Sequence, residues 1–203
     1  TGVQTCDLPI FFADYPLSAD EAREAGRLTE CGDVLGFTLG GLSKTIGLPQ
    51  IKLAWTALSG PAIRVEQARA RLEVACDTYL AVSTPVQEAT GELLAAGAGV
   101  RHQIQHRTRA NLARVRSITN TVGTCRVLEA DAGWYAVIQV PTLMSEEDLV
   151  TSILAEDGVL VHPGYFFDFP RESFLVVSLL TLPAVLESGL ARVLRRFQDR
   201  GGV

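Results

Sequence analysis

The chain has 203 residues and a formal net charge of −5, and 47% of its residues are hydrophobic against 20% charged. This balance is typical of a folded globular protein and excludes a disordered chain. Because the net charge is acidic and no long basic run occurs, nucleic acid and anionic membranes are not expected as partners. No apolar run is long enough to predict a membrane span. The cysteines form no CxxC pair, which is typical of reduced thiols in a cytoplasmic protein, and with no third ligand beside His102 and His106 the sequence predicts no metal site.

The first 60 residues contain three short apolar runs, at 10–12, 34–39 and 51–58. Polar or helical stretches separate them, and Gly40 and Gly41 are expected to end the second run. This arrangement predicts strands of a parallel α/β sheet. We expect the edges of such a partial sheet to be exposed unless another segment covers them.

The middle of the chain has helical periodicity. Pro61 occupies a favoured first-turn position, and apolar residues follow it at helical spacing. A second helix is predicted to begin at Thr84 and to end at the glycines at 97 and 99. A third helix is predicted over about 101–119, with its arginines on a solvated face.

The last part of the chain has the signals of a compact α/β domain that begins near residue 100. Two apolar runs joined by Asp-Ala-Gly predict a hairpin, and Ser145 followed by three acidic residues predicts a capped helix. Two further strands are predicted, one within 159–164 that ends in a turn and a fully apolar one at 174–180. The apolar residues of 182–197 recur on one side of a closing amphipathic helix.

Lys44 lies in the segment GGLSKTIGLPQIKLAW, between a glycine-rich turn and the next apolar run. A lysine in a tight apolar turn is suited to Schiff-base chemistry, in which the amine acts as the nucleophile. The ordinary alternative is a solvated surface lysine. Spacing alone leaves both interpretations open.

This segment resembles the lysine motif of the class I/II, fold-type-I aminotransferases that use pyridoxal phosphate (PLP), roughly Ser-x-Ser-Lys-x-x-Gly-Leu-x-Gly-x-Arg-x-Gly. Ser43, Lys44, Gly47 and Leu48 match it, and the differing positions resemble a branch that reads GLSK…LPQ.KLGW. Residues 61–89 resemble the long interdomain helix of the family, and residues 133–181 resemble its small C-terminal domain. The order of these blocks strengthens the resemblance.

The resemblance implies an α/β fold in which residues 1–82 are the end of a PLP-transferase large domain, mainly parallel sheet with helices, plus the interdomain helix. Residues 83–203 would be the smaller α+β C-terminal domain. It implies PLP as cofactor, an amino acid and a 2-oxo acid as substrates, and a cytoplasmic homodimer. The family's phosphate-binding turn and ring-stacking aromatic residue would precede Thr1, so we expect the C-terminal half of such an enzyme.

The resemblance also assigns roles to individual residues. It makes Lys44 the internal-aldimine lysine and the catalytic base, with Ser43 as a neighbouring cofactor-binding residue. Lys52 takes the place of an arginine that binds the PLP phosphate. Phe12 falls where the family has a tyrosine that bonds the ring hydroxyl. Asp7 is the nearest carboxylate to the position of the ring-nitrogen aspartate, which is itself occupied by proline.

One position leaves the substrate site open. Val176 stands where many members have an arginine for the substrate α-carboxylate, and it is predicted to be a core strand residue. Arg171 is the nearest substitute, and His162 is a second candidate at the entrance of the site; both also have ordinary interpretations as surface or strand-end residues. A PLP-dependent lyase of the same fold, and a non-catalytic fragment or pseudoenzyme, remain alternatives.

Overall fold

The computed structural model describes residues 12–17, 32–79, 81–169 and 173–198. The chain forms two compact units, residues 1–104 and residues 105–203. The boundary between them falls inside a long helix. The division into domains at 82/83 stays a prediction.

The described residues of the first unit include two strands, β1 (Gly36–Gly41) and β2 (Ala54–Ser59), which pair antiparallel with Gly36 opposite Ser59. The expected parallel arrangement is therefore wrong for this pair. The reason lies in the connection, which holds only a one-turn helix, α1 (Leu42–Thr45), and a 3-10 turn, Pro49–Ile51. Parallel neighbours need a longer crossover, so the chain turns back on itself. Most of the apolar run 10–12 lies outside the described residues, and Phe12 is in a tight turn in which its carbonyl accepts a hydrogen bond from the Tyr15 amide at 2.8 Å.

Gly40 and Gly41 lie within β1 and do not end it as expected. Gly40 is opposite Trp55 in the register. A Cβ atom at residue 40 would lie 2.4 Å from the indole ring of Trp55. The glycine therefore lets a large aromatic ring cross the neighbouring strand, a common reason for glycine inside a strand.

Two helices follow β2 along the chain: α2 (Ala62–Thr78) and α3 (Thr84–Thr119). The first begins after Pro61 as predicted. The second is one continuous helix, so the predicted end at residues 97 and 99 is wrong. Glycine inside a helix costs about 1 kcal/mol, which a helix of this length can offset. At Gly97 the small residue is also needed for packing, because a Cβ there would lie 2.5 Å from the Cβ of Ile46.

One cluster of the first unit's core surrounds the lysine motif. Leu42, Ile46 and Leu53 are buried at its centre, and six partly buried residues pack against them: Leu48, Ile51, Val82, Val86, Leu93 and Leu94. The cluster thus joins the loop between β1 and β2 to Val82 and the first turns of α3. This arrangement holds the segment that contains Lys44.

In the second unit, four strands form one antiparallel sheet in the order β3-β4-β6-β5: β3 (Arg126–Val127), β4 (Tyr135–Gln139), β5 (His162–Pro163) and β6 (Phe174–Ser178). The predicted hairpin is confirmed as the antiparallel β3–β4 pair. The strand predicted within 159–164 is observed only at its end, as β5, and the strand predicted at 174–180 is observed as the shorter β6.

Helices cover this sheet. Helix α4 (Glu146–Ser152) continues into a π-helical turn, Ile153–Asp157, and α5 (Pro183–Gln198) closes the chain. The predicted cap is confirmed, because the Ser145 hydroxyl accepts a hydrogen bond from the Asp148 amide at 3.1 Å. The predicted apolar side of the closing helix is also confirmed, with Leu186, Leu190, Val193 and Phe197 all buried.

The arginines of α3 lie at the surface, as predicted. Arg114 and Arg116 form exposed ion pairs with Glu187 and Glu129, at 2.8 and 2.7 Å. Such exposed pairs contribute little to stability. Among the described residues, no helix is both long and apolar enough to cross a membrane.

Candidate functional site

Lys44 lies in α1, the single helical turn that follows β1, and its side chain is half-buried. Leu42 and Ile46 on either side of it are buried in the core. The Leu42 amide donates a hydrogen bond to the Leu53 carbonyl at 3.1 Å, and the Leu48 amide donates one to the Leu42 carbonyl at 3.0 Å. Backbone bonds and core packing therefore fix the turn that presents the lysine.

Gly47 has a structural reason to be in the lysine motif. Its φ is +67°, in the left-handed region that favours glycine, and a Cβ there would lie 2.8 Å from the Cδ1 of Ile104. Any other residue would strain the backbone and displace a neighbouring side chain. The glycine thus closes the turn three residues after Lys44.

The structure brings Phe12, a predicted cofactor-binding residue, to Lys44. The Lys44 Nζ lies 5.6 Å from the centre of the Phe12 ring. This distance is within the range of a cation–π interaction. An amine beside a flat aromatic ring provides a nucleophile for an aldehyde and a flat surface for a planar cofactor.

Tyr15 also belongs to this region, although the sequence analysis did not identify it. It is fully buried, and its hydroxyl donates a hydrogen bond to the Thr45 carbonyl at 3.4 Å. Burial, with a smaller contribution from the nearby charge of Asp14, raises the pKa of Tyr15 to about 12. The phenol is therefore a neutral support for the lysine turn. The one feature of the sequence that points to this role is that Tyr15 lies three residues after Phe12.

The other predicted cofactor-binding residues are Ser43, Lys52 and Asp7. Ser43 is half-buried next to Lys44 in α1. Lys52 is exposed and has a left-handed φ of 58° at the end of the 3-10 turn. Asp7 lies outside the described residues.

The predicted substrate residues belong to the second unit. His162 is exposed on β5, and its ring centre lies 6.0 Å from that of Phe166 and 6.3 Å from that of Phe167. Arg171 lies outside the described residues. Val176 is buried in β6 with 2% of its surface exposed, as predicted for a core strand residue.

Glu146 is a buried carboxylate that the sequence analysis counted only among the acids in the first turn of a helix. Only 2% of its surface is exposed. Its two oxygens accept hydrogen bonds from the amides of Tyr165, at 3.0 Å, and Phe174, at 2.8 Å. It therefore fixes the turn that carries the exposed aromatic residues near His162. The sequence gives no signal for this role, because Glu146 is one of three consecutive acidic residues and the other two, Glu147 and Asp148, are exposed.

Comparison with known proteins identifies the class to which this arrangement belongs. The model of the family described as "Aminotransferase class I and II" matches residues 15–193. The chain therefore belongs to the class I and II aminotransferase family, and the α/β fold class is confirmed.

Solved structures support the same fold. An aminotransferase from Escherichia coli superposes with a TM-score of 0.71 at 19% identity, over 85% of this chain and 44% of that one. An aspartate aminotransferase from Rhodobacter sphaeroides superposes with a TM-score of 0.71 at 17% identity, over 93% and 46%.

Among curated proteins, the LL-diaminopimelate aminotransferase of Oleidesulfovibrio alaskensis is 33% identical over 109 residues, which is 53% of this chain and 28% of that protein. That of Nitratidesulfovibrio vulgaris strain DP4 is 39% identical over 69 residues, which is 34% of this chain and 17% of that protein. The match thus spans less than half of each relative.

Proposed function

We propose that this chain supplies the lysine-bearing part of a PLP-dependent aminotransferase, which moves an amino group from an amino acid to a 2-oxo acid. The observation that carries the proposal is the position of Lys44 in a turn held by Leu42 and Ile46, with its amine 5.6 Å from the Phe12 ring. The match to the family over residues 15–193 supports it. We also propose that the chain belongs to the branch of the family whose lysine motif reads GLSK…LPQ.KLGW.

Lys44 would hold PLP through its amine, Ser43 and Phe12 would lie against it, and Lys52 would bind its phosphate. When bound, PLP supplies an electron sink for negative charge at the substrate α-carbon. Lys44 would accept and return the proton at that carbon, since a side chain fixed at the reacting centre is an effective base. Lys52 provides charge without the two-pronged geometry of an arginine, so its contribution to phosphate binding should be modest.

The remaining roles are proposed on the resemblance alone. Asp7 would approach the ring nitrogen, Arg171 would bind the substrate carboxylate, and His162 would lie near the entrance of the site. A homodimer and a cytoplasmic location are proposed with them. The free thiols of Cys76 and Cys125 are compatible with a reducing compartment.

A second candidate is a non-catalytic fragment, and the coverage of less than half of each relative favours it for the isolated chain. A complete site needs a phosphate-binding turn, a ring-nitrogen carboxylate and an aromatic stack in addition to the lysine. Each missing charged hydrogen bond costs roughly 1.5–3 kcal/mol. The loss of two would weaken PLP binding by a factor on the order of 10² or more.

The composition makes the central test unusually clean, because Lys44 and Lys52 are the only lysines in the sequence. The purified chain is incubated with PLP, reduced with borohydride and mapped by peptide mass spectrometry. We expect the adduct on Lys44. Lys44→Ala should remove the adduct and leave the circular dichroism spectrum unchanged. The matched control Lys52→Ala should keep the adduct on Lys44 but should need a higher PLP concentration to form it. An adduct on Lys52 or on the amino terminus, with Lys44 unmodified, would contradict the proposal.

Turnover is the second test. Amino acids, including LL-diaminopimelate because the curated relatives act on it by name, are offered with 2-oxoglutarate or pyruvate. We expect little or no transfer by this chain alone. Robust transfer would show that the parts present only in the longer relatives are dispensable here.

A further inference from the structure

Helix α5 and residues 158–161 of the second unit form the walls of a groove. Its volume is about 190 Å³, and most of its lining is aliphatic. Leu190 and Val193 in this lining are almost fully buried, whereas Leu160 and Val185 are 73% and 58% exposed. Large aliphatic side chains left exposed beside a buried apolar lining are typical of a groove that binds a ligand.

The two walls of the groove run side by side. A Cβ at Gly158 would lie 3.9 Å from the Nη1 of Arg192, and one at Gly189 would lie 3.5 Å from the Cγ1 of Val159. From Arg192 back to Val185 the helix rises by seven residues, or about 10 Å. Division of the volume by this length gives a mean cross-section of roughly 19 Å². A groove this narrow suits a single unbranched alkyl chain better than a ring.

Arg192 places a positive charge at one end of the groove. Its Nη1 donates a hydrogen bond to the Asp157 carbonyl at 2.5 Å, and its Nε donates one to the Ser188 carbonyl at 3.3 Å. The nearby carboxylates of Glu156 and Asp157 form their ion pairs with Arg196 instead.

The charge of Arg192 is therefore not neutralised by the protein. Across the described residues, no carboxylate lies within ion-pair distance of Arg192, and its Nη2 makes no hydrogen bond. Backbone carbonyls carry only partial negative charge, and a guanidinium has five N–H donors. The side chain thus keeps positive charge and free donors for an anion at the end of an apolar groove.

We propose that this groove, defined as the space between α5 and residues 158–161, binds an unbranched aliphatic monocarboxylate. Its carboxylate would pair with Arg192, as arginine pairs readily with carboxylates, and its chain would run towards Val185. A length of about 10 Å accommodates about six to eight carbons. An inorganic anion would leave the aliphatic walls uncovered. The groove lies wholly in the second unit, so the inference is independent of Lys44 and of the proposed function.

The test is a titration of the chain with hexanoate, followed by NMR of the chain labelled at its glycine nitrogens. We expect the amide signals of Gly158 and Gly189 to shift with a dissociation constant on the order of 1 mM, as suits so small a ligand. Hexanamide has the same chain without the charge and should bind about ten- to a hundredfold more weakly. Cyclohexanecarboxylate keeps the charge but is wider, and it should bind about tenfold more weakly or worse.

Variants of the arginine test the charge. Arg192→Gln should weaken hexanoate binding about ten- to a hundredfold and leave the binding of hexanamide unchanged. Arg192→Lys keeps the charge without the planar guanidinium and should recover part of the affinity. The matched control is Arg195→Gln, which removes the same charge from an exposed position three residues later on α5, and it should leave affinity unchanged.

Gly189→Ala tests the groove itself. The added methyl group would meet Val159 at ordinary contact distance, so it should close the groove without strain, and alanine also favours the helix. This variant should melt at a higher temperature than the wild-type chain, and hexanoate should no longer shift the signal of Gly158.

Several results would overturn the proposal. One is the absence of a shift at Gly158 and Gly189 with hexanoate at about ten times the expected dissociation constant. Others are equal binding of hexanoate and hexanamide, equal losses in Arg192→Gln and Arg195→Gln, or wild-type binding by Gly189→Ala. Shifts of the two glycine signals that grow with protein concentration, without hexanoate, would assign the groove to a second copy of the chain instead.

Discussion

Replacing Gly97 by alanine should destabilise the first unit, whereas replacing Gly99 by alanine should stabilise it. The two glycines are two residues apart in α3, and alanine gains about 1 kcal/mol of helix propensity at either position. Their surroundings differ. A Cβ at residue 99 would meet no atom within 4 Å, whereas one at residue 97 would lie 2.5 Å from the Cβ and 2.6 Å from the Cγ2 of Ile46.

The magnitude follows from this contact. The clash at residue 97 involves atoms close to the backbone of Ile46, which is only 4% exposed and packs with Leu42 and Leu53. No rotation of a flexible side chain can relieve it, so either α3 or the turn after Lys44 must move. Overpacking of this kind costs about 1–3 kcal/mol. Because the gain in helix propensity is common to both variants, Gly97→Ala should be less stable than Gly99→Ala by about the same 1–3 kcal/mol.

The assay is urea unfolding followed by tryptophan fluorescence. Trp55 and Trp134 are the only tryptophans, so a Trp134→Phe background leaves Trp55 as the sole reporter of the first unit. Equal stabilisation by the two alanines would refute the close packing of α3 on the lysine turn. The reactivity of Lys44 provides a further measurement: Gly97→Ala should change the rate of PLP labelling at Lys44, whereas the control Gly99→Ala should leave it unchanged.

Two further predictions test the buried polar groups. Glu146→Ala leaves the amides of Tyr165 and Phe174 without their acceptor. Each unpaired amide should lower the free energy of unfolding by about 1–3 kcal/mol. Fluorescence of Trp134 should report this loss in the second unit, and a similar loss in the exposed control Glu147→Ala would contradict it. For Tyr15, burial raises the pKa in the folded chain from 10.0 to about 12. Its contribution to stability is therefore complete below pH 10 and is lost as the pH rises towards 12. Tyr15→Phe should flatten this alkaline decline in urea midpoints, and an unchanged slope would contradict the assignment.

The sequence alone determined the features that depend on neighbours along the chain. Helix α2 begins directly after Pro61, Ser145 caps α4, and the helical spacing of the apolar residues in α5 determines which side of that helix is buried. In each case the signal and the structure lie within a few residues of one another. The lysine motif is similarly local, since Gly47 has a left-handed φ, which glycine adopts readily and other residues rarely do.

The tertiary structure decided the features that depend on distant contacts. Gly97 has the sequence signature of a helix end, but the approach of Ile46 makes it a packing position in a continuous helix. Glu146 has the signature of a solvated first-turn acid, but the amides of Tyr165 and Phe174 give it a buried role. Tyr15 supports the lysine turn through a carbonyl 30 residues away. The short connection between β1 and β2 likewise made their pairing antiparallel, because strand direction follows from how the chain returns and not from the apolar runs themselves.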